Sequence, residues 1–286
     1  MELKNKVCLV TGANSGIGKA TTLGLMQQGA HVIMLCRNEE RAKRARREII
    51  DQTGRADIEI VLADLAIQRD IREAVQRITE NHDSLDILIN NAGIVSSQRR
   101  KASDGIERTF AINHLGAFLL TNLLKDALQN APSARIINVS SEVHRLGAAI
   151  FDMDNLQLTT NYSPVKAYGL SKLCNIMFTH ELAKRTNETS ITANCLHPGA
   201  VGTHLAGEAP WWLKLIYFVG KPFMRSPAKG AETPLYLAAS EEVKYITGKY
   251  FKDKKVISAD PKGFKDELTE KLWEESKSLT GLQTTF

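Results

Sequence analysis

Tyr168 and Lys172 stand four residues apart in the stretch Tyr-Gly-Leu-Ser-Lys. On a helix that spacing stacks both side chains on one face, about one turn apart. A phenol beside an ammonium is a device for moving a proton to or from an alcohol oxygen. An unperturbed tyrosine, with a pKa of ~10, is a poor base near neutrality. One positive charge at ~4 Å, in an effective dielectric of ~20, favours the phenolate by ~4 kcal/mol, or roughly three pKa units. The same pair is also common on solvated helices, so its chemistry depends on what the rest of the chain brings beside it.

A glycine-rich turn supplies the second ingredient. Thr11-Gly12-Ala13-Asn14-Ser15-Gly16-Ile17-Gly18 follows an apolar run and opens a helical pattern. Glycines in that context let the backbone approach a pyrophosphate, which sits on the helix N-terminus. No Gly-Lys-Ser/Thr closes the turn, which excludes a Walker A loop. The second apolar run ends Met34-Leu35-Cys36-Arg37. An acidic residue there would hold a ribose 2′-hydroxyl, whereas Arg37 can clamp a 2′-phosphate. The reading is therefore NADP(H) in preference to NAD(H), with Arg41 a weaker candidate at the same phosphate. The remaining charge of the basic stretch 39–48 reads as a solvated helix face. Asp64 in Ala63-Asp64-Leu65 is either an adenine contact or the N-cap of the next helix. Asn90-Asn91-Ala92-Gly93 can tie neighbouring strands together and leave room for a cofactor.

The elements that must position these residues alternate along the chain. Strand-like runs are Val7–Val10, His31–Cys36, Ile58–Leu62, Leu85–Asn90, Arg135–Ser140 and Ile191–Leu196. Helical patterns lie near 16–28, 39–52, 67–81, 104–130 and 164–186, with a further helix, short strand and helix after Ser226. This alternation predicts an α/β fold, a parallel sheet with helices on both faces. The strands are continuous apolar runs, as strands buried on both faces should be. Short connections through 140 give no domain boundary in the 286 residues. Two long stretches, 142–163 and 199–226, follow strands and fall at the carboxyl edge, where open α/β folds bind ligands.

A net charge of +5 without a concentrated basic motif gives no case for a nucleic-acid partner. Cys8, Cys36, Cys174 and Cys195 are dispersed in apolar stretches, so unpaired thiols in a reducing cytoplasm are expected. No C-x-x-C or Cys/His cluster marks a metal site, and none is expected. The chain opens directly as a strand, so no signal peptide or anchor is expected before it.

Six motifs in order resemble the short-chain dehydrogenases/reductases: Thr11-Gly-x-x-x-Gly-Ile-Gly18, Asn90-Asn-Ala-Gly93, Asn113, Ser140-Ser141, Tyr168-x-x-x-Lys172 and His197-Pro-Gly199. The resemblance covers residues 6 to about 252. It implies one doubly wound Rossmann domain over 1–286, with a seven-stranded parallel sheet. It also implies a nicotinamide cofactor and interconversion of alcohols and carbonyls. Tyr168 would be the general acid/base. Lys172 would lower its pKa and bond the nicotinamide ribose, and Ser141 would hold the substrate oxygen. Asn113 would order a water linking Lys172 to solvent. An amide is also a poor choice for the middle of an apolar helix, which favours a functional reading. Gly12, Asn14, Ser15, Gly16, Ile17, Gly18, Arg37, Asp64, Leu65, Asn91, Ala92 and Gly93 would line the nucleotide. Thr203 would bond the carboxamide, with Pro198, Gly199 and Val201 shaping that wall.

Leu35-Cys-Arg-Asn38, Val139-Ser-Ser-Glu-Val-His-Arg-Leu-Gly147, Phe178-Thr-His-Glu-Leu-Ala-Lys-Arg185 and Leu196-His-Pro-Gly-Ala-Val201 are similar to the retinol dehydrogenase-like branch. That closer resemblance implies NADP(H) and a hydrophobic alcohol, aldehyde or ketone, as in a retinol dehydrogenase or carbonyl reductase. The apolar stretch 209–220, with Trp211 and Trp212, is too short to span a bilayer. It reads as a substrate lid within the 199–226 insertion, as peripheral membrane contact through 209–223, or as core or a homodimer contact. His144 is a candidate wall of the substrate pocket, whereas His197 and His114 read as structural. The expected location is cytoplasmic, with a membrane-peripheral one as the alternative. A non-catalytic NADP(H) sensor or a membrane-surface protein on the same fold are the competing functions. The sensor is weakened by the presence of Asn113, Ser141, Tyr168 and Lys172 together, whereas the membrane-surface reading rests on the aromatic insertion.

Overall fold

The computed structural model describes residues 2–202, 224–259 and 265–286. Eight strands form one sheet in the order β3-β2-β1-β4-β5-β6-β7-β8. They are β1 Val7–Thr11, β2 His31–Cys36, β3 Ile58–Leu62, β4 Ile87–Asn90, β5 Arg135–Val139, β6 Thr192–His197, β7 Tyr250–Lys252 and β8 Lys255–Ile257. The first seven are parallel, as expected. The eighth runs antiparallel to β7. Between them lie Asp253 and Lys254, with φ of 51° and 63°, the left-handed pair that a two-residue hairpin requires. Neither residue is a glycine, so the sequence carries no signal for this turn.

Neighbouring residues on each central strand point to opposite faces, and both faces are covered. Leu9, Ile33, Leu88 and Ile136 pack with Phe118, Phe178 and Trp273 on one side. Val10, Met34, Ile89 and Ile137 pack with Leu25, Ile49 and Leu237 on the other. The second face is covered by α1 Gly16–Gln27 and α2 Glu39–Thr53, with a later helix, Pro227–Ala239. The first carries α3 Gln68–Asn81 and the chain that follows β4.

That following chain is where periodicity misleads. A single helical pattern near 104–130 resolves into α4 Arg108–Phe110, a π-helical turn Ala111–Leu115, α5 Gly116–Leu123 and α6 Lys125–Asn130. The wide turn has Asn113 at its centre. π-bulges of this kind concentrate at functional sites. Downstream, the long connection after β5 holds α7 His144–Ala149, a 3-10 turn Met153–Asn155, and then α8 Pro164–Arg185. Ser163 caps α8 by accepting from Lys166 N at 3.2 Å, with Pro164 at its first turn, a standard start signal. The last two helices are α9 Pro227–Ala239 and α10 Asp266–Thr280. No helix among the described residues is long and apolar enough to cross a membrane.

α7 meets α8 through two glycines. A Cβ on Gly147 would lie 2.3 Å from Gly169 O, and one on Gly169 would lie 2.8 Å from Val143 O. The contact is backbone on backbone, so no side chain can yield. It presses the segment that begins at Ser141 against the turn of α8 that carries Tyr168. Gly147→Val is expected to destabilise the protein by about 1–3 kcal/mol, the usual cost of overpacking. Urea unfolding measures it; a variant as stable as wild type would show that the two helices separate freely.

Candidate active site

Every candidate segment described lies at the carboxyl edge of the sheet, because each follows a parallel strand. The glycine turn leaves β1 with φ of +66° at Gly12 and +53° at Gly16, left-handed values that favour glycine. A Cβ on Gly18 would lie 2.4 Å from Gly12 O and 2.5 Å from Asn91 Nδ2. The turn is thus folded tightly onto the loop after β4. Ser15, the N-cap of α1, makes no side-chain cap, and the first turn carries no acid. Its amides and the positive end of the helix dipole suit an anion. These features fit a dinucleotide.

Asn91 fastens the two loops. Its Nδ2 donates to Thr11 O at 2.8 Å, while the amides of Asn91 and Ala92 both donate to Thr11 Oγ1 at 2.9 Å. Thr11 opens the glycine motif in the sequence, but its bonds to the loop after β4 could not be read there, because a lone threonine at a strand end does not reveal its partner. Behind it runs a buried amide series. Asn90 Nδ2 donates to Thr121 Oγ1 (3.0 Å) and Asn138 Oδ1 (2.8 Å), and Asn138 Nδ2 donates to Thr179 Oγ1 (2.9 Å). Such bonds satisfy polar groups that would otherwise be costly to bury. They join the ends of β4 and β5 to α5 and α8.

Lys172 lies in this edge, 2% exposed. Its Nζ donates to Val139 O at 2.8 Å and sits 5.5 Å from the centre of the Tyr168 ring. Burial lowers its pKa to about 8. Ser140 Oγ donates to Lys172 O at 2.7 Å, so the first serine of the pair holds α8 against β5. Ser141, half-buried, accepts from Val143 N at 3.4 Å. Asn113 is 1% exposed. Its Oδ1 accepts from Ile94 N at 2.8 Å, and its Nδ2 donates to Ile94 O and Ser171 Oγ, each at 3.0 Å. Ser171 in turn donates to Tyr168 O at 2.8 Å. Gly93 explains the crowding: a Cβ there would stand 3.3 Å from Asn113 Oδ1 and 3.4 Å from Lys172 Nζ. Glycine leaves that space clear, and Asn113 and Lys172 meet around it.

The peripheral candidates separate into three groups. Arg37 is half-exposed with Nη1 3.5 Å from Asp64 Oδ2, so these two share one corner. Asp64 is not the N-cap of α3. The helix starts at Gln68 after Ile67, and Asp64 instead turns the loop by accepting from Ala66 N at 2.9 Å. Leu65 is buried beside Gly116. On the other side Pro198 is buried, Gly199 has φ of +89°, and Val201 and Ile17 both crowd Gly230. The wall after β6 therefore reaches the glycine turn. Thr203, Trp211, Trp212 and the 209–223 segment lie outside the described residues.

His144 departs from its expected place. It is fully buried, not exposed on a pocket wall. Its Nδ1 lies 2.8 Å from Ser141 O and therefore carries the proton that bonds it. The ring packs edge-on against Tyr250, centroids 5.1 Å apart. It props the Ser141 segment from behind, its ring turned onto Tyr250 of β7 rather than toward open space. His197 and His114 are structural, as read: burial lowers both to about 4 and keeps them neutral. His114 Nε2 pairs with Ser276 Oγ at 2.9 Å. All four cysteines are buried and unpaired.

The short chain dehydrogenase family model matches residues 6–153. Retinol dehydrogenase 14 of Homo sapiens is 40% identical, over 98% of this chain and 88% of that one. Retinol dehydrogenase 12 of Mus musculus is 38% identical, over 99% and 89%. Among solved structures, an uncharacterised protein of Mycobacterium paratuberculosis superposes with a TM-score of 0.76 at 28% identity, covering 98% of this chain and 96% of its own. A protein of Escherichia coli CFT073, described as a short chain dehydrogenase and solved with NADPH, gives 0.69 at 25% identity over 87% and 96%.

The buried ammonium of Lys172 has a cost. The unfolded chain holds this proton up to the usual lysine pKa of 10.5, whereas the folded chain releases it near 8. The native state therefore loses about 3 kcal/mol below pH 8 and regains it as pH rises toward 10.5. Lys172→Met should raise the melting temperature of the nucleotide-free protein at pH 7, with a smaller gain at pH 10. A fall in melting temperature at pH 7 would contradict this reading.

Proposed function

Because the chain belongs to the short-chain dehydrogenase/reductase family, in its retinol dehydrogenase-like branch, and is an oxidoreductase acting on CH–OH groups, we propose that it interconverts a hydrophobic alcohol and its aldehyde or ketone using NADP(H), with Tyr168 as general acid/base. The observation that carries this reading is the Lys172 ammonium, buried beneath the Tyr168 ring in space that Gly93 leaves clear.

Gly12, Asn14, Ser15, Gly16, Ile17 and Gly18 would hold the pyrophosphate, and Asp64 and Leu65 the adenine end. Asn91, Ala92, Gly93, Pro198, Gly199 and Val201 would flank the nicotinamide half, with Thr203 at its carboxamide. When bound, the nicotinamide supplies or accepts the hydride. The chain's own residues handle the oxygen. Ser141 donates a hydrogen bond to it, and Tyr168 delivers a proton in reduction or removes one in oxidation. Lys172 stabilises the phenolate and bonds ribose hydroxyls. Asn113, fixed by Ile94 and Ser171, places the π-helical turn where a water can return the proton to solvent. His144 positions Ser141 through its carbonyl.

Two further supports concern specificity. Arg37 stands at the end of β2 with a half-exposed guanidinium, suited to a 2′-phosphate. The curated relatives are named for retinol, an apolar alcohol, and the sequence after β6 carries the apolar stretch with Trp211 and Trp212.

Tyr168→Phe is expected to bind NADPH as wild type does and to lose turnover by roughly 100-fold or more, as removal of a general acid/base does. Steady-state NADPH oxidation over aliphatic, aromatic, retinoid and steroid carbonyls measures this, with nucleotide binding followed by fluorescence. Near-normal turnover in the variant would overturn the role. Arg37→Asp should move the preference toward NADH; an unchanged NADPH/NADH ratio of kcat/KM would show that the phosphate is held elsewhere.

A further inference from the structure

At the opposite edge of the sheet from the glycine turn, three elements bring two imidazoles and a carboxylate together. His31 opens β2, Glu59 lies near the start of β3, and His82 directly follows α3. Both Nε2 atoms face the same carboxylate oxygen. His31 Nε2 is 3.2 Å and His82 Nε2 2.5 Å from Glu59 Oε1, and the rings stand 5.1 Å apart. One donor atom from each residue lies within 4.8 Å of the other two.

The convergence follows from sheet register. Ile33 pairs with Glu59 across β2 and β3, and His31 is two residues before Ile33. Both therefore face the side of the sheet that α3 covers. The backbone amide of His82 donates to Ile78 O at 2.9 Å, which fixes the residue at the end of that helix. In sequence the histidines stand 28 and 23 residues from Glu59, so no short motif announces the cluster.

We propose that His31, Glu59 and His82 form a Zn2+ site. Two neutral imidazoles and a carboxylate are borderline donors that suit zinc, and the set lacks the oxygen-only character that magnesium or calcium requires. Zinc bonds of about 2.0–2.1 Å in a tetrahedron place neighbouring donors about 3.3 Å apart. The His31–Glu59 spacing already meets this. The shorter His82 contact opens by a small rotation of Glu59, whose side chain is about one-third exposed at 34%. A metal at this point replaces the protons that otherwise join the imidazoles to the carboxylate, and water completes its coordination. Bound zinc ties the end of α3 to the edge strand β3 and its neighbour β2. The site lies apart from Tyr168 and Lys172, so it serves stability rather than hydride transfer.

The test uses the full-length protein after chelator treatment, titrated with zinc sulfate by calorimetry and thermal melting. Wild type should bind one equivalent and melt at a higher temperature with zinc. The His31→Ala/His82→Ala double variant, left with one of the three ligands, should lose stoichiometric zinc binding, and Glu59→Gln should bind zinc more weakly than wild type. Both should keep wild-type NADPH-oxidation rates. Absence of stoichiometric binding by wild type, or unchanged affinity in the double variant, overturns the proposal. If the double variant fails to fold, X-ray absorption on zinc-loaded wild type decides. Imidazole scattering from two ligands at about 2.0–2.1 Å supports the site. A spectrum without histidine ligands refutes it.

Discussion

A lysine ammonium enclosed by protein sets the terms for everything around it. Its charge is expensive to desolvate, and only a crowd of fixed dipoles makes the position tolerable. Val139 O accepts from it, Ser140 ties its backbone to β5, and the face of the Tyr168 ring lies beside it. None of these groups can drift without exposing or stranding the charge. The cost in stability and the proposed chemistry have one origin: a low-dielectric setting strengthens the field that Lys172 exerts on a neighbouring phenol.

The surrounding scaffold is built to hold loops, which are normally the loosest parts of a fold. Side-chain amides do most of this. Asn91 fastens the loop after β4 to the glycine turn, Asn113 fastens the next residues to the π-helical turn, and Asn90 and Asn138 connect strands to helices behind them. An amide can donate and accept at once, so a single residue bridges two backbones. The glycines play the complementary part. Gly18 and Gly93 remove atoms where backbones and site groups approach, and Gly147 with Gly169 lets two helices touch. Together the amides supply attachment and the glycines supply room.

The sheet was largely legible because its strands are continuous apolar runs and its helices amphipathic. The boundaries of β2 and β3 fell where the sequence put them. The stretch 104–130 was not, because a π turn and a break at Leu124 leave the apolar spacing almost unchanged. The hairpin at Asp253 and Lys254 was also hidden, since neither residue advertises positive φ. In the candidate site, Tyr168, Lys172, Asn113 and the glycine turn could be singled out by type and spacing. Thr11 and Ser140 stood in motifs but their bonding roles could not be read, and Ser171 could not be singled out at all, because hydroxyls that bond a backbone carbonyl or amide look like any other small polar residue.

What the sequence determined by itself was the inventory of chemistry and the order of elements that would carry it. Local spacing fixes which side chains share a helical face, and apolar runs fix which segments become buried strands. What the tertiary structure decided was who meets whom. It set His144 against Tyr250 of β7 rather than toward open space, made Asp64 a loop-former rather than a helix cap, and joined His31, Glu59 and His82 from three separate elements. These outcomes depend on register and on helix placement over the sheet. Both arise from packing the whole core at once, and neither is written in any short stretch of residues.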